Sequence, residues 1–189
     1  MVTGSRCRAR ESRGVAATTA RRWSRWERRL LCALDDCAAD ARVAGAARTL
    51  SWCGEHAAVW LLAGLAGAAT DRTRRERWLR GTGLVATAHL ASMGLKRVVR
   101  RPRPRLAGRA PLVRTAGRHS FPSSHAASAG AAALALGGLR HRRAFGTLAA
   151  LMCVSRLVAG VHYPSDVLAG AALGAATARL GTRREPRHG

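Results

Sequence analysis

Apolar positions along the chain gather in blocks and nowhere alternate with polar ones over any length. Five blocks stand at about 52–70, 78–95, 124–139, 144–161 and 166–180. Polar links separate them: DRTRRERW near 71–78, the long stretch 96–123, and RHRR at 140–143. Without a period of two, the pattern predicts an all-α fold. A membrane span takes about 20 apolar residues, within a range of roughly 17–25. The first, second and fourth blocks reach that range, and the third and fifth need residues from the adjoining links to complete them. Gly and Ala recur inside the blocks, as at Gly137-Gly138 and in the Gly170–Gly174 GxxxG pattern, where membrane helices pack closely. The pattern therefore predicts a multi-pass transmembrane helical bundle of about five spans, located in the cell membrane. A soluble helical bundle is the competing architecture.

Ahead of the blocks the pattern changes. Residues 1–25 hold Arg, Ser, Ala and Thr with no hydrophobic period, which predicts a disordered basic tail. Residues 26–49 carry apolar positions at helical spacing, interrupted by Asp35, Asp36, Asp40 and Arg42. That mixture is too polar to span and predicts an amphipathic helix at the membrane interface. Residues 50–180 form the expected membrane-embedded domain, and 181–189 a basic C-terminal tail. No apolar core with a small-residue cleavage site follows the Arg-rich start, so no secretory leader is expected.

Charge adds a partner class. With 33 basic and 10 acidic side chains, the net charge is +23, which calls for a polyanionic partner such as an anionic membrane surface, a phosphorylated substrate or nucleic acid. In the basic run at 96–104 no aromatic residues interleave with the arginines to stack on bases, so nucleic acid is not expected. Every basic residue is Arg except Lys96. The five cysteines form no CxxC pair and are odd in number; neither a disulfide framework nor a zinc site is expected.

Three segments at links and block ends carry chemistry. The first is Lys96-Arg-Val-Val-Arg-Arg-Pro-Arg103-Pro104, a dense positive run. The second, Pro122-Ser123-Ser124-His125, opens an apolar block. Proline suits a first helical turn, and helix-start N–H groups bind anions. The third runs from Ser155-Arg156 to His162 and Asp166. Four residues apart, His162 and Asp166 can meet. A carboxylate on one imidazole nitrogen leaves the other free to attack. Asp166 is the sole acid between Glu76 and Glu185, and such isolated charges at membrane depth are usually functional. Alone, each segment also has a plain structural reading: a headgroup-facing basic run, an N-cap, a structural His–Asp pair.

Taken in order, the segments resemble the three-part signature of the type-2 phosphatidic acid phosphatase family, shared with vanadium-dependent haloperoxidases: KxxxxxxRP, PSGH and SRxxxxxHxxxD. Lys96, Arg103 and Pro104 match the first part; Pro122, Ser123 and His125 the second; Ser155, Arg156, His162 and Asp166 the third. Ser124 stands where the family has glycine. The resemblance covers the motifs at 96–166 and, by helix layout, about 50–180.

The resemblance implies a lipid phosphatase, a metal-independent phosphoric monoester hydrolase with no cofactor. In that scheme Lys96, Arg103 and Arg156 hold the phosphate oxygens, with Ser123 and the backbone near Ser124 and His125 adding hydrogen bonds. His162 attacks phosphorus, Asp166 orients it, and His125 protonates the leaving alkoxide. The stretch Ala47–His56 (ARTLSWCGEH) is similar to the segment before the first span of actinobacterial decaprenyl-phosphoryl-phosphoribose phosphatases. That similarity implies a polyprenyl-phosphoryl-phosphoribose substrate, with phosphatidic acid, phosphatidylglycerol phosphate and undecaprenyl pyrophosphate as alternatives. With five spans, all three motifs fall on the side of the N-terminal tail.

Overall fold

A computed structural model describes residues 25–105, 110–115, 117–139 and 141–183. The expected tails therefore lie outside the described residues, save for Arg25 and residues 181–183. Seven α-helices make up the described chain: α1 (Arg25–Cys37), α2 (Ala41–Cys53), α3 (Ala58–Thr70), α4 (Arg75–Val99), α5 (Ser124–Ala135), α6 (Arg142–Val158) and α7 (Pro164–Arg183). Helices α3 to α7 answer to the five apolar blocks. The sole β-pairing among the described residues is a single bridge between Pro102 and His119.

Two expectations change. Residues 26–49 do not form one helix, because Asp40 starts a new one: its side chain accepts from the Arg42 and Val43 N–H groups at 2.7 and 3.4 Å. An Asp side chain competes with the helix interior and satisfies the orphan N–H groups of a first turn instead. Cys32 is disulfide-bonded, against the expectation from cysteine spacing; Cys37, Cys53 and Cys153 are free thiols.

No helix among the described residues is long and apolar enough to cross a membrane. α3 has only 13 residues, about 20 Å at 1.5 Å per residue. α4 reaches 25 residues but opens on Arg75, Glu76, Arg77 and Arg80 and closes on Lys96 and Arg97.

The core is built largely of small residues. Trp60, Trp78, Val85, Leu136 and Met152 supply its bulk, and alanines of α5 line the rest. α5 packs against α7 with backbones nearly in contact. A Cβ on Gly170 would run into the Ser123 carbonyl, one on Gly174 into the Ala127 carbonyl, and one on Gly130 into Ala171. The GxxxG stripe thus sets how deeply α7 sits beside the start of α5. At one end of the bundle, Asp71 caps the turn before α4 through Arg74 N–H at 3.2 Å. Arg74 reaches across to the Leu139 carbonyl at 2.7 Å, so the links after α3 and α5 share that end. The three motif segments meet at the other.

Candidate active site

Four hydrogen bonds to backbone carbonyls assemble the motifs. The Ser120 N–H donates to the Arg101 carbonyl at 2.8 Å, and the Ser120 hydroxyl to that of Pro102 at 3.0 Å. These bonds zip the stretch before α5 onto the stretch after α4. The Ser123 N–H donates to the Asp166 carbonyl at 2.9 Å. The Arg103 Nη1 donates to the Val161 carbonyl, also at 2.9 Å.

Lys96, in the last turn of α4, donates to the Pro122 and Ser120 carbonyls at 2.5 and 3.3 Å. Arg103 Nε donates to the Gly117 carbonyl at 2.9 Å, and its Nη1 stands 3.4 Å from His162 Nε2. Arg156 is 3% exposed and donates to the Ser51 hydroxyl. Its Nε has no hydrogen-bond partner among the described residues. A buried guanidinium with a donor unsatisfied is a costly arrangement unless an anion completes it. Lys96, Arg103, Ser124, His125, Arg156 and His162 all line one cavity of about 350 Å³.

His162 lies in the link between α6 and α7. Its Nδ1 faces Asp166 Oδ2 at 3.6 Å, an ion-pair distance that leaves room to tighten when charge develops. Nε2 is the nitrogen turned toward the Arg103 guanidinium and the cavity. Burial holds the imidazole well below its usual pKa; Asp166 opposes that fall, and Lys96, Arg156 and Arg103 add to it. The ring is therefore neutral at neutral pH, with a free lone pair on the cavity side.

His125, in the first turn of α5, spends Nε2 on the Ser51 carbonyl at 3.0 Å. Gly54 lies against its ring, where a Cβ would stand 2.7 Å from Cδ2. Ser124 lines the cavity. Ser123 does not: it is fully buried, and its hydroxyl caps α5 by accepting from the Ala126 N–H at 3.4 Å. Asp166 is likewise fully buried, behind His162.

Several residues outside the motifs complete the site. Ser51 touches both Arg156 and His125, and Glu55, His56 and His89 share the cavity wall. His56 and the adjoining Ala57 both take positive φ, 52° and 62°, a costly conformation for residues other than glycine. Arg101 binds Asp166 at 2.8 Å. The sequence signals this last residue faintly, since Arg101-Pro102 duplicates Arg103-Pro104 two positions earlier. Ser51 carries no signal beyond membership in the Ala47–His56 stretch. No cluster of three or more His, Cys, Asp or Glu suited to a metal occurs among the described residues.

The arrangement can therefore grip a tetrahedral dianion among three cations, present a neutral imidazole to it, and offer a second imidazole nearby. Comparison with known proteins points the same way. Residues 78–188 match the model of the PAP2 superfamily. The decaprenylphosphoryl-5-phosphoribose phosphatase of Mycolicibacterium smegmatis is 45% identical over 124 residues, covering 66% of this chain and 69% of that protein. A lipid A 1-phosphatase of Rhizobium johnstonii is 50% identical over 58 residues, 30% of this chain and 24% of that one. The crystal structure of a transmembrane PAP2-type phosphatidylglycerolphosphate phosphatase from Bacillus subtilis superposes with a TM-score of 0.68. That match has 22% identity and covers 90% of this chain and 93% of that one.

Proposed function

The chain belongs to the PAP2 superfamily and is a lipid phosphatase, and we propose that its substrate is a polyprenyl-phosphoryl-phosphoribose, cleaved at the sugar phosphate through a phosphohistidine. The observation that carries the mechanism is the neutral His162 imidazole, backed by Asp166 and aimed among Lys96, Arg103 and Arg156. Fixed cations stabilise charge spread over the phosphoryl oxygens and need no reorganisation as the reaction proceeds. His162 Nε2 forms a bond to phosphorus while the bond to the lipid-side oxygen breaks. That oxygen takes the proton of His125, replacing the Ser51 carbonyl as its acceptor. Water then attacks phosphorus, giving a proton back to His125, as the Nε2–P bond breaks and phosphate is freed. The Ser124 hydroxyl and N–H add donors at the helix start, while Ser123 acts from behind as the cap.

The substrate reading rests on the leaving-group side. Ser51, Glu55, His56 and His89 line the same cavity as His125, and they offer donors and acceptors that a sugar's hydroxyls can pair. A relative that shares 45% of aligned residues bears the name of a phosphoribose-lipid phosphatase. The membrane reading rests on the outer surface. Leu62 and Leu65 of α3, Leu90 of α4, Leu151 and Val154 of α6, and Leu168 and Leu180 of α7 point outward and are exposed. Apolar side chains on so many helices suit a lipid-facing belt, with residues 50–180 as the embedded domain.

The test is phosphate release by the detergent-solubilised chain from four lipids: the phosphoribose lipid, phosphatidic acid, phosphatidylglycerol phosphate and undecaprenyl pyrophosphate. The first should turn over fastest, with or without EDTA. Vanadate readily becomes five-coordinate, as phosphorus does in mid-transfer, and should compete with substrate. His162→Ala should leave a folded helical protein without turnover. A preference for another lipid overturns the substrate assignment. Strict magnesium dependence, or His162→Ala activity near wild type, overturns the mechanism.

A further inference from the structure

The support behind the nucleophile does not end at Asp166. One carboxylate oxygen of Asp166, Oδ2, faces His162 and accepts from the Tyr163 N–H at 2.9 Å. The other, Oδ1, takes Arg101 Nη1 at 2.8 Å. Arg101 also donates to the Ser165 hydroxyl at 2.7 Å, and its guanidinium lies over the Tyr163 ring, 3.9 Å from the centroid. On its far side, Arg101 Nη2 stands 3.6 Å from Glu27 Oε2. Glu27 Oε1 accepts from the Ser165 hydroxyl at 2.6 Å and from the Ser165 N–H at 3.2 Å. Glu27 sits on α1, is 4% exposed, and precedes the residues matched to the family, 78–188.

This placement answers an electrostatic difficulty. When His162 takes the phosphoryl group, its ring becomes a cation that needs negative charge at Nδ1. Arg101, bonded to the supporting carboxylate, cancels that charge if left alone. A second carboxylate on Arg101 offsets that cancellation: with Glu27 sharing the guanidinium, more of the Asp166 charge stays available to His162. Little of this is screened, because the side chains of Asp166 and Glu27 are 0% and 5% exposed and charges interact strongly away from water.

We propose that Glu27 is a positioning residue for phosphoryl transfer: it neutralises Arg101 and ties Ser165, so that the charge of Asp166 stays available to the cationic phosphohistidine. The proposal rests on the phosphohistidine mechanism. In that step the Nε2–P bond forms as the P–O bond to the lipid breaks. The proton on Nδ1 remains shared with Asp166, and the leaving oxygen is protonated by His125.

The experiment uses the full chain in detergent. Glu27→Gln keeps the shape and removes the charge. It should lower kcat on the order of tenfold or more with KM within about twofold, because only the charged state of His162 is affected. Vanadate inhibition should weaken in parallel. Adding Arg101→Gln to Glu27→Gln removes the uncompensated cation and should recover part of the lost kcat. A merely structural Glu27 predicts that the double variant is as slow as the single one or slower. Should Glu27→Gln not fold, Glu27→Asp and Glu27→Asn, equal in size, give the same reading, and the Asp variant should be faster. Wild-type kcat in Glu27→Gln, no recovery in the double variant, or equal rates for Asp and Asn would each overturn the proposal. Rapid quench separates the two levels. A wild type without acid-labile phosphohistidine overturns the mechanism and this role together, whereas a wild type that forms it, with an insensitive Glu27→Gln, overturns the role alone.

Discussion

Lys96 is held by two carbonyl oxygens, those of Ser120 and Pro122, and shares the cavity with Arg103 and Arg156. A compact ammonium fits between those carbonyls and a phosphate, whereas a planar guanidinium is larger and donates along fixed directions. Lys96→Arg is therefore expected to displace the phosphate even though the charge is kept. A shift of about 1 Å can cost on the order of 100-fold, so kcat/KM should fall by about that factor. An unchanged kcat/KM would reduce Lys96 to one more member of the basic run. At this scale the sequence shows the six cavity-lining motif residues because each motif is short and ordered along the chain. It does not show Ser51, whose contact with Arg156 joins residues 105 positions apart, nor Glu27, 138 positions from Ser165. Such pairs exist only once helices have packed, and no local pattern encodes them. Ser123 shows the opposite effect. Its motif position suggests a phosphate ligand, while its place before the first turn of α5 makes it a cap.

Among the elements, α5 and α7 matter most, because one carries His125 and the other Asp166. Their separation is set by glycines. A methyl group on Gly174 would meet the Ala127 carbonyl and, at 2.7 Å, the Ala131 nitrogen, both backbone atoms that cannot turn aside. Gly174→Ala should therefore push α7 outward and destabilise the protein by about 1–3 kcal/mol, read as a lower Tm in detergent. Gly45→Ala, with nothing within 4 Å of the added carbon, serves as the control and should hold or raise Tm, since alanine favours a helix interior. A Gly174→Ala protein melting with the wild type would mean that the helices have slack there. The five helical blocks and the GxxxG stripe were readable from the order of apolar and small residues along the chain. The break at Asp40 is not legible in the sequence, because Asp35, Asp36 and Asp40 all interrupt the apolar spacing and only the fold shows Asp40 capping α2.

At the scale of the molecule, the outward leucines and the net charge of +23 make separable claims about how the protein meets a membrane. Charge alone gives attachment that salt screens within about 10 Å at 0.1 M. An embedded belt resists both salt and alkaline carbonate and yields only to detergent. The chain is expected to stay with the pelleted membrane through carbonate washing; release by carbonate or high salt would make it a surface-bound protein. Helix length left this question open in the sequence, because links and helix ends share the polar residues of the site. Ser51 has a wider consequence. It lies outside the family-matched region, yet it holds both Arg156, the proposed phosphate ligand, and His125, the proposed proton donor. Support for the proposed phosphate ligand and for the proposed proton donor is thus written on a stretch of chain apart from the motifs that carry them. Exchanging residues 41–57 between two such enzymes is expected to shift leaving-group preference, provided the incoming stretch keeps a serine at position 51 to hold Arg156.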